Sequence, residues 1–166
     1  MESNFLDIVV NVKRVTKVTR GGKRFSFSAF VVTGNREGKI GFALGKSRDV
    51  SSAIAKATAK ARKHLIEIPL RGRTIAYPVT GRFGTAKVIL RSAYKGTGVI
   101  AGGAVRAVMD ALGVHDVLAK SIGSTNARNV VMATLNALSQ LRKTQDFARL
   151  RGKTIQEIVK GSHVQA

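Results

Sequence analysis

The 166-residue chain has no cysteine, no tryptophan, two prolines and only nine acidic residues. Without cysteine there can be no disulfide, thiolate metal site or thiol nucleophile, and the chain suits a reducing compartment. Acids this sparse offer no carboxylate pair at catalytic spacing. The three histidines, His64, His115 and His163, are scattered, each read as an ordinary surface or core residue. Neither an acid–base centre nor a metal site is expected, and no cofactor. Long apolar runs are missing as well: none approaches the ~18 residues of a membrane span. Met1 to Asp7 holds two acids and no basic residue, unlike the start of a signal or transit peptide. The expected location is the cytoplasm.

Aromatics make up 5% of the chain against 44% hydrophobic residues, so the interior must be built from Val, Ile, Leu and Ala. Phe25, Phe27, Phe30 and Phe42 are explained as sheet core. That leaves Phe83, Tyr77 and Tyr94 as base stackers, too few for a reader of single strands. Recognition by shape and phosphate contact fits better.

What the chain has in abundance is positive charge: 29 Lys and Arg give a formal +20. A compact surface so charged repels itself unless a polyanion sits against it. Nucleic acid is the first choice and anionic membrane the second. The excess is not a tail, because residues 1 to 68 hold 14 basic and 5 acidic residues and the remainder 15 and 4. Both halves must face the anion.

Hydrophobic periodicity predicts an α+β protein. Ile8 to Val18 reads as a strand with Ile8, Val10 and Val12 on one face, and the parity slip at Val15 suggests a bulge or a strong twist where the strand leaves the core. Arg20-Gly21-Gly22-Lys23-Arg24 is a turn signal. Phe25 to Thr33 and Lys39 to Gly45 are the next strands, joined through Gly34 to Gly38. On the third strand Ile40, Phe42 and Leu44 point inward, while Gly41, Ala43 and Gly45 leave room for another backbone. Asp49 or Ser51 can cap a helix running to about Ile68, with Val50, Ile54, Ala57, Ala61 and Leu65 on one face. The first half is thus β-β-β-α.

Past the linker Pro69 to Arg73, strands are expected at Thr74 to Thr80 and Thr85 to Ser92, around a turn at Gly81 to Gly84. The cluster Gly96-Thr97-Gly98-Val99-Ile100-Ala101-Gly102-Gly103 leads into a helix with the stripe Val105, Val108, Met109 and Leu112, ended by Gly113. Asp116 to Ile122 is a strand. Gly123 to Asn126 caps a helix through Leu141, carrying Val130, Val131, Leu135 and Leu138. Arg142 to Lys153 is expected to be poorly ordered, and Thr154 and Glu157 stand at capping-box spacing before a last helix. The second half therefore reads β-β-α-β-α with a helical tail. The division is 1–68, 69–150 and a tail at 151–166.

Several clusters invite a partner. The tip Arg20 to Arg24 joins three cations to exposed backbone N–H groups, more charge than a turn needs, which favours RNA contact. Lys56, Lys60 and Lys63 line one helix face, with no acid three or four residues from Lys56 or Lys60. RNA binding and a merely solvated face are equally good readings there. Gly96-Thr97-Gly98-Val99-Ile100-Ala101 formally fits a dinucleotide fingerprint. The acid that should follow the next strand is missing, since Asp116 precedes it. A nucleotide-binding enzyme is the second hypothesis and a general nucleic-acid chaperone the third, but a non-enzyme is expected. What survives at the glycine cluster is a flexible loop at a helix N-terminus, suited to an anion or to close packing.

The blocks VKRVTKVTRGGKRFSFSAFVV, GKIGFALGKSRDV, KGTGVIAGGAVRAVMDALGVHDVLAK and GSTNARNVV resemble the bacterial small-subunit ribosomal protein five family, over about residues 8 to 160. The resemblance implies an N-terminal domain similar to a double-stranded-RNA-binding domain without its first helix. It also implies a C-terminal β-α domain with a left-handed crossover. Implied partners are small-subunit ribosomal RNA, the messenger RNA path, and small-subunit proteins four and eight, with an influence on decoding fidelity. By the same resemblance, Arg20 to Arg24 reaches toward the head–neck junction near the spectinomycin site, and the final domain faces protein eight. Gly96, Thr97, Gly98 and Arg106 would meet protein four. The expected RNA-facing set in the first half is Arg14, Lys17, Arg20, Gly21, Gly22, Lys23, Arg24, Lys46, Arg48, Lys56, Lys60 and Lys63. In the second half it is Arg82, Lys87, Arg91, Lys120, Ser124, Thr125, Asn126 and Arg128.

Overall fold

A computed structural model describes residues 5–160; positions 1–4 and 161–166, and with them His163, lie outside the described residues. The architecture is α+β. Four antiparallel strands in the order β1-β2-β3-β4 form the first sheet: β1 Leu6–Thr19, β2 Gly22–Gly34, β3 Lys39–Ser47 and β4 Leu65–Glu67. Helix α1, Val50–Lys63, begins at Asp49, whose carboxylate accepts the Ser52 N–H at 3.2 Å. This settles the choice between the two candidate caps.

Small residues decide where α1 lies. It buries Ala53, Ala57 and Ala61 against the β3 face made of Gly41, Ala43 and Gly45. A Cβ at Gly45 would collide with the Ala53 carbonyl oxygen, and one at Gly41 with that of Ala61. The backbone expected to approach this face is therefore α1 itself. The opposite face, with Phe30, Val32, Ile40, Phe42 and Leu44, is left for the second half.

The second half is a sheet of order β5-β6-β8-β7, built from β5 Val79–Phe83, β6 Ala86–Ser92, β7 Val99–Ile100 and β8 Val117–Gly123. Strand β7 runs parallel to β8 and reaches it through α2, Gly103–Leu112. Helix α2 buries Val105, Val108, Met109 and Leu112 and ends at Gly113, in the left-handed conformation that an αL cap requires. Helix α3, Ala127–Leu138, is packed so closely on β5 that a Cβ at Gly81 would strike the Ala133 carbonyl.

One hydrophobic core runs through both halves, joining Phe30, Val32 and Ile40 to Val88, Val108, Leu112, Val131 and Leu138. The β2–β3 turn locks the junction. Arg36 and Gly38 donate their N–H groups to the Ala111 and Leu112 carbonyls at 3.0 and 3.1 Å, satisfying the free end of α2. Gly38 in turn accepts the Ile68 N–H at 2.8 Å.

Several expected boundaries shift. Helix α1 stops at Lys63 and not near Ile68, because Pro69 disfavours the helical region for Ile68 and the β-branched Ile66 prefers the strand that pairs with β3. The β1 bulge lies at Val10, between Val9 and Asn11, not at Val15. The extra residue falls where the strand leaves the core, and the later parity change reflects a ribbon with no buried face. The β5–β6 turn is Gly84-Thr85, two residues later than expected. Thr74 to Pro78 makes only an isolated bridge at Thr74, since Pro78 has no N–H to continue a ladder. Helix α3 ends at Leu138, although Leu141 is still buried. The segment read as poorly ordered contains α4, Thr144–Arg151, docked by Phe147 edge-on to Tyr77 at 6.0 Å and by Lys143 against Glu67 at 3.1 Å. Helix α5, Ile155–Lys160, begins with the expected reciprocal bonds between Thr154 and Glu157.

The close seat of α1 yields a test. Gly45→Val should lower unfolding free energy by about 3 kcal/mol, because neither backbone can yield without opening the sheet. Gly21→Ala, with nothing within 4 Å of the added carbon, should stay within about 0.5 kcal/mol. Urea denaturation of the RNA-free protein checks both.

Candidate nucleic-acid interface

The β1–β2 hairpin extends beyond the core as a two-stranded ribbon, exposed over most of Val12 to Phe25. From Ile8 to Arg36 the chain carries Lys13, Arg14, Lys17, Arg20, Lys23, Arg24 and Arg36 and no acid. Register places Lys17 directly opposite Arg24, and like charges across a rung destabilise a ribbon in water. Arg14 lies over the Phe25 ring at 4.8 Å. Arg20 and Gly21 form the two-residue tip, and Gly22 takes φ 134° as β2 begins. Arg48 joins Lys17 and Arg24 around a cleft of about 680 Å³.

A second cationic group sits at the junction of the halves. The row Lys13, Ser28, Lys46 crosses β1, β2 and β3 on the face turned toward the second half. Lys13 and Ser28 share a small cleft of about 120 Å³ with Asn126 and Arg128, over Phe30 and Leu44. Asn126 caps α3 by accepting the Arg128 N–H at 3.3 Å, and Ser124 accepts the Asn126 N–H at 3.2 Å; Thr125 between them is exposed. Lys13 was not among the residues expected to face RNA, although it lies with Ser28, Asn126 and Arg128 here. Its signal was its place on the one strand that continues from core to ribbon.

Four further predicted cations meet on the open face of the second sheet. Gly81, Val88 and Val117 point into the core, so Arg82, Lys87, Arg91 and Lys120 point out, among Ile89, Leu118 and Ile122. Arg82 is directly opposite Lys87, again without an intervening acid. Lys56, Lys60 and Lys63 are exposed on α1, on the far side of the first sheet from the junction, so they form a separate surface. Among the described residues no carboxylate lies within 4.0 Å of any of these three.

The glycine loop differs from expectation. Gly96 and Gly98, both at positive φ, aim their N–H groups at one oxygen of Asp116, each at 3.0 Å. The amides expected to suit an anion already hold an internal carboxylate. The loop is braced, not flexible, and β7 separates it from α2. Asp116 is 3% exposed, and its second oxygen has no hydrogen-bond partner, with Arg73 Nε 3.8 Å away. Hydrogen bonds from Gly98 and then Gly96, with the charge of Arg73 adding less, hold its pKa below the ordinary carboxylate value against the opposing effect of burial. Arg106, also expected at a protein contact, is exposed and faces Asp110 at 3.8 Å. Sequence reasoning used Asp116 only to discount a dinucleotide motif. That one of so few acids stood just before a strand was the available sign of a structural task.

No helix among the described residues is long and apolar enough to cross a membrane. No cluster of three His, Cys, Asp or Glu among them could hold a metal ion.

Residues 5–69 match the family described as "Ribosomal protein S5, N-terminal domain", and residues 81–151 match "Ribosomal protein S5, C-terminal domain". The chain belongs to the ribosomal protein S5 family. Relatives named small ribosomal subunit protein uS5 agree along nearly the whole length. That of Flavobacterium psychrophilum is 53% identical over 93% of this chain and 89% of its own. That of Syntrophobacter fumaroxidans is 52% identical over 92% of each, and that of Rickettsia typhi is 48% identical over 99% of this chain and 94% of its own. As a member of the S5 family the chain is a ribosomal structural protein and not an enzyme.

The Asp116 brace sets a pH test. A carboxylate whose native pKa is depressed stabilises the fold above its unfolded pKa, and that contribution disappears as pH falls through the native value. The Gly96 and Gly98 amide proton shifts should therefore titrate with a midpoint below the ordinary 3.8. Asp116→Asn should abolish that titration and flatten the acid limb of stability against pH. A midpoint at or above the ordinary value would refute the brace.

Proposed function

We propose that the chain is a structural constituent of the small ribosomal subunit that binds small-subunit ribosomal RNA through three cationic surfaces: the β1–β2 ribbon, the junction row, and the open face of the second sheet. One observation carries this reading. Across these surfaces like charges stand opposite each other, Lys17 with Arg24 and Arg82 with Lys87, and no acid faces them. Such rungs are unfavourable in the free protein and become favourable when phosphates lie between them.

The family relation supports finer roles. We infer that the ribbon tip Arg20 to Arg24 reaches into folded RNA, and that the protein helps line the path by which messenger RNA enters and so supports decoding accuracy. Gly96, Thr97, Gly98 and Arg106 are assigned to small-subunit protein four and the second half to protein eight. The braced loop suits protein docking, because a surface already ordered loses less entropy on binding. The two halves are proposed as lobes that hold RNA helices against each other. A dinucleotide enzyme is disfavoured, because Asp116 occupies the loop amides and its charge would repel a pyrophosphate.

Filter binding to small-subunit RNA tests the reading. If ~6 to 10 phosphates are contacted, affinity should fall by ~10³ to 10⁵ between 50 and 200 mM salt. The double variant Lys17→Ala, Arg24→Ala should lower the slope of log affinity against log salt by about 2. A flat titration by the folded protein would remove the proposal.

A further inference from the structure

Five aromatic side chains lie outside the strands of the first sheet, and four of them have partners. Phe5 lies beneath the Arg62 guanidinium, and Phe147 packs on Tyr77. Tyr77 donates its hydroxyl to the Gln140 carbonyl at 2.8 Å, accepts the Arg142 N–H at 3.0 Å and packs on Phe147. Phe83 is half-buried against the core. Tyr94 is different. It is 92% exposed, and among the described residues no ring or guanidinium stacks on it.

Its setting is organised. Tyr94 stands at a cleft of about 540 Å³ whose walls include Ala76 and Leu118, with Thr97 as a hydroxyl and Arg71 and Lys95 as cations. No carboxylate lines it. The turn that bears Tyr94 is fixed: Thr97 donates its N–H to the Tyr94 carbonyl at 3.1 Å, Gly96 and Gly98 are held by Asp116, and the Ala93 N–H reaches the Thr74 hydroxyl at 3.4 Å. A large apolar ring exposed to water on a stiff turn loses little entropy on binding. The volume lies within the range that holds a small organic ligand. A flat ring, apolar walls and two cations without an acid match a planar, anionic guest.

We propose that this cleft receives one unpaired purine nucleotide of RNA, the base stacked on Tyr94 and its phosphate held by Arg71 and Lys95. This rests on the reading of the chain as an RNA-binding protein and adds a base-directed contact to one otherwise made of phosphates. The competing occupant is small-subunit protein four, the proposed neighbour of Thr97 at the edge of this cleft, so the nucleotide is placed on Tyr94, Arg71 and Lys95 and not on Thr97. Charge favours RNA, since both charged side chains of the cleft are cationic.

The chain has no tryptophan, so Tyr94→Trp introduces a single indole at the site. The full-length variant is titrated at low salt with two RNA hairpins, identical except that one carries a single bulged adenosine. The bulged hairpin should quench the indole emission saturably, whereas the paired one should bind without quenching it. With the tyrosine in place, Tyr94→Ala should weaken binding of the bulged hairpin roughly ten-fold, the order expected for one lost stacked base. It should leave the paired hairpin within about two-fold, and Tyr94→Phe, which keeps the ring, should bind both like the parent. If both hairpins bind equally, without quenching and without sensitivity to Tyr94→Ala, the stacking site is overturned while RNA binding stands, and the cleft belongs to a protein neighbour. If neither hairpin nor small-subunit RNA binds, the RNA-binding reading falls as well.

Discussion

The two halves are fixed to each other by the β2–β3 turn, whose Arg36 and Gly38 N–H groups complete the end of α2. Everything the surface can do depends on that lock. Cations on separate, freely hinged pieces would each meet an anion independently, whereas cations on one core present a fixed spacing. The lock is possible because β3 divides its residues by size. Gly41, Ala43 and Gly45 admit α1 closely on one face, leaving Ile40, Phe42 and Leu44 to bury the other against the second half. Exchanging large and small residues on β3 would leave the helix too far out and the halves unjoined.

Rigidity and charge then act on each other. Holding like charges at rung spacing raises the energy of the free protein, since the ribbon cannot splay to relieve Lys17 and Arg24 without losing its ladder. The same stiffness gives the ribbon an ordered backbone on which its cations are held at fixed spacing. Long cationic side chains keep their rotamer freedom in the free state, but the backbone beneath them is already set. An anion laid along the ribbon would release a strain the fold maintains by itself, and a partner that relieves it would add to the stability of the fold.

Much of this was legible in the residues. Alternation gave the first three strands, the stripe Val105, Val108, Met109, Leu112 with Gly113 gave α2, and Thr154 with Glu157 gave the start of α5. Tertiary effects were hidden. Leu65 to Glu67 has helical spacing with α1 but joins β3, because the sheet edge offers hydrogen bonds and Pro69 closes the helical route. The segment holding α4 looked too basic to order, and only the fold brings Tyr77 to Phe147 and Glu67 to Lys143. Of the candidate site, each cation was visible, but the grouping was not. Register alone puts Lys13 in a row with Lys46 and turns Arg82, Lys87, Arg91 and Lys120 to one face. Parity along single strands cannot show which face the core will take.

The acidic residues make the converse case. Asp7 accepts from Thr33 and pairs with Arg62, tying β1 to β2 and α1. Asp49 caps α1, Glu67 holds Lys143, Asp116 braces the glycine loop and Glu157 closes the capping box of α5. Glu37 lies in the turn that bridges the halves, where its carboxylate accepts the Asn35 side-chain N–H at 3.4 Å and Asn35 accepts its backbone N–H. Asp110 faces Arg106 within α2, and Asp146 lies in the first turn of α4, where a negative charge suits the helix dipole. Each carboxylate described is committed to an internal task, so almost none remains to neutralise the surface. A protein that merely tolerated excess positive charge would have no reason to place its few acids so economically. One built to meet RNA must keep them off the surfaces where phosphates will lie, and their placement at caps, braces and junctions is what that requirement leaves.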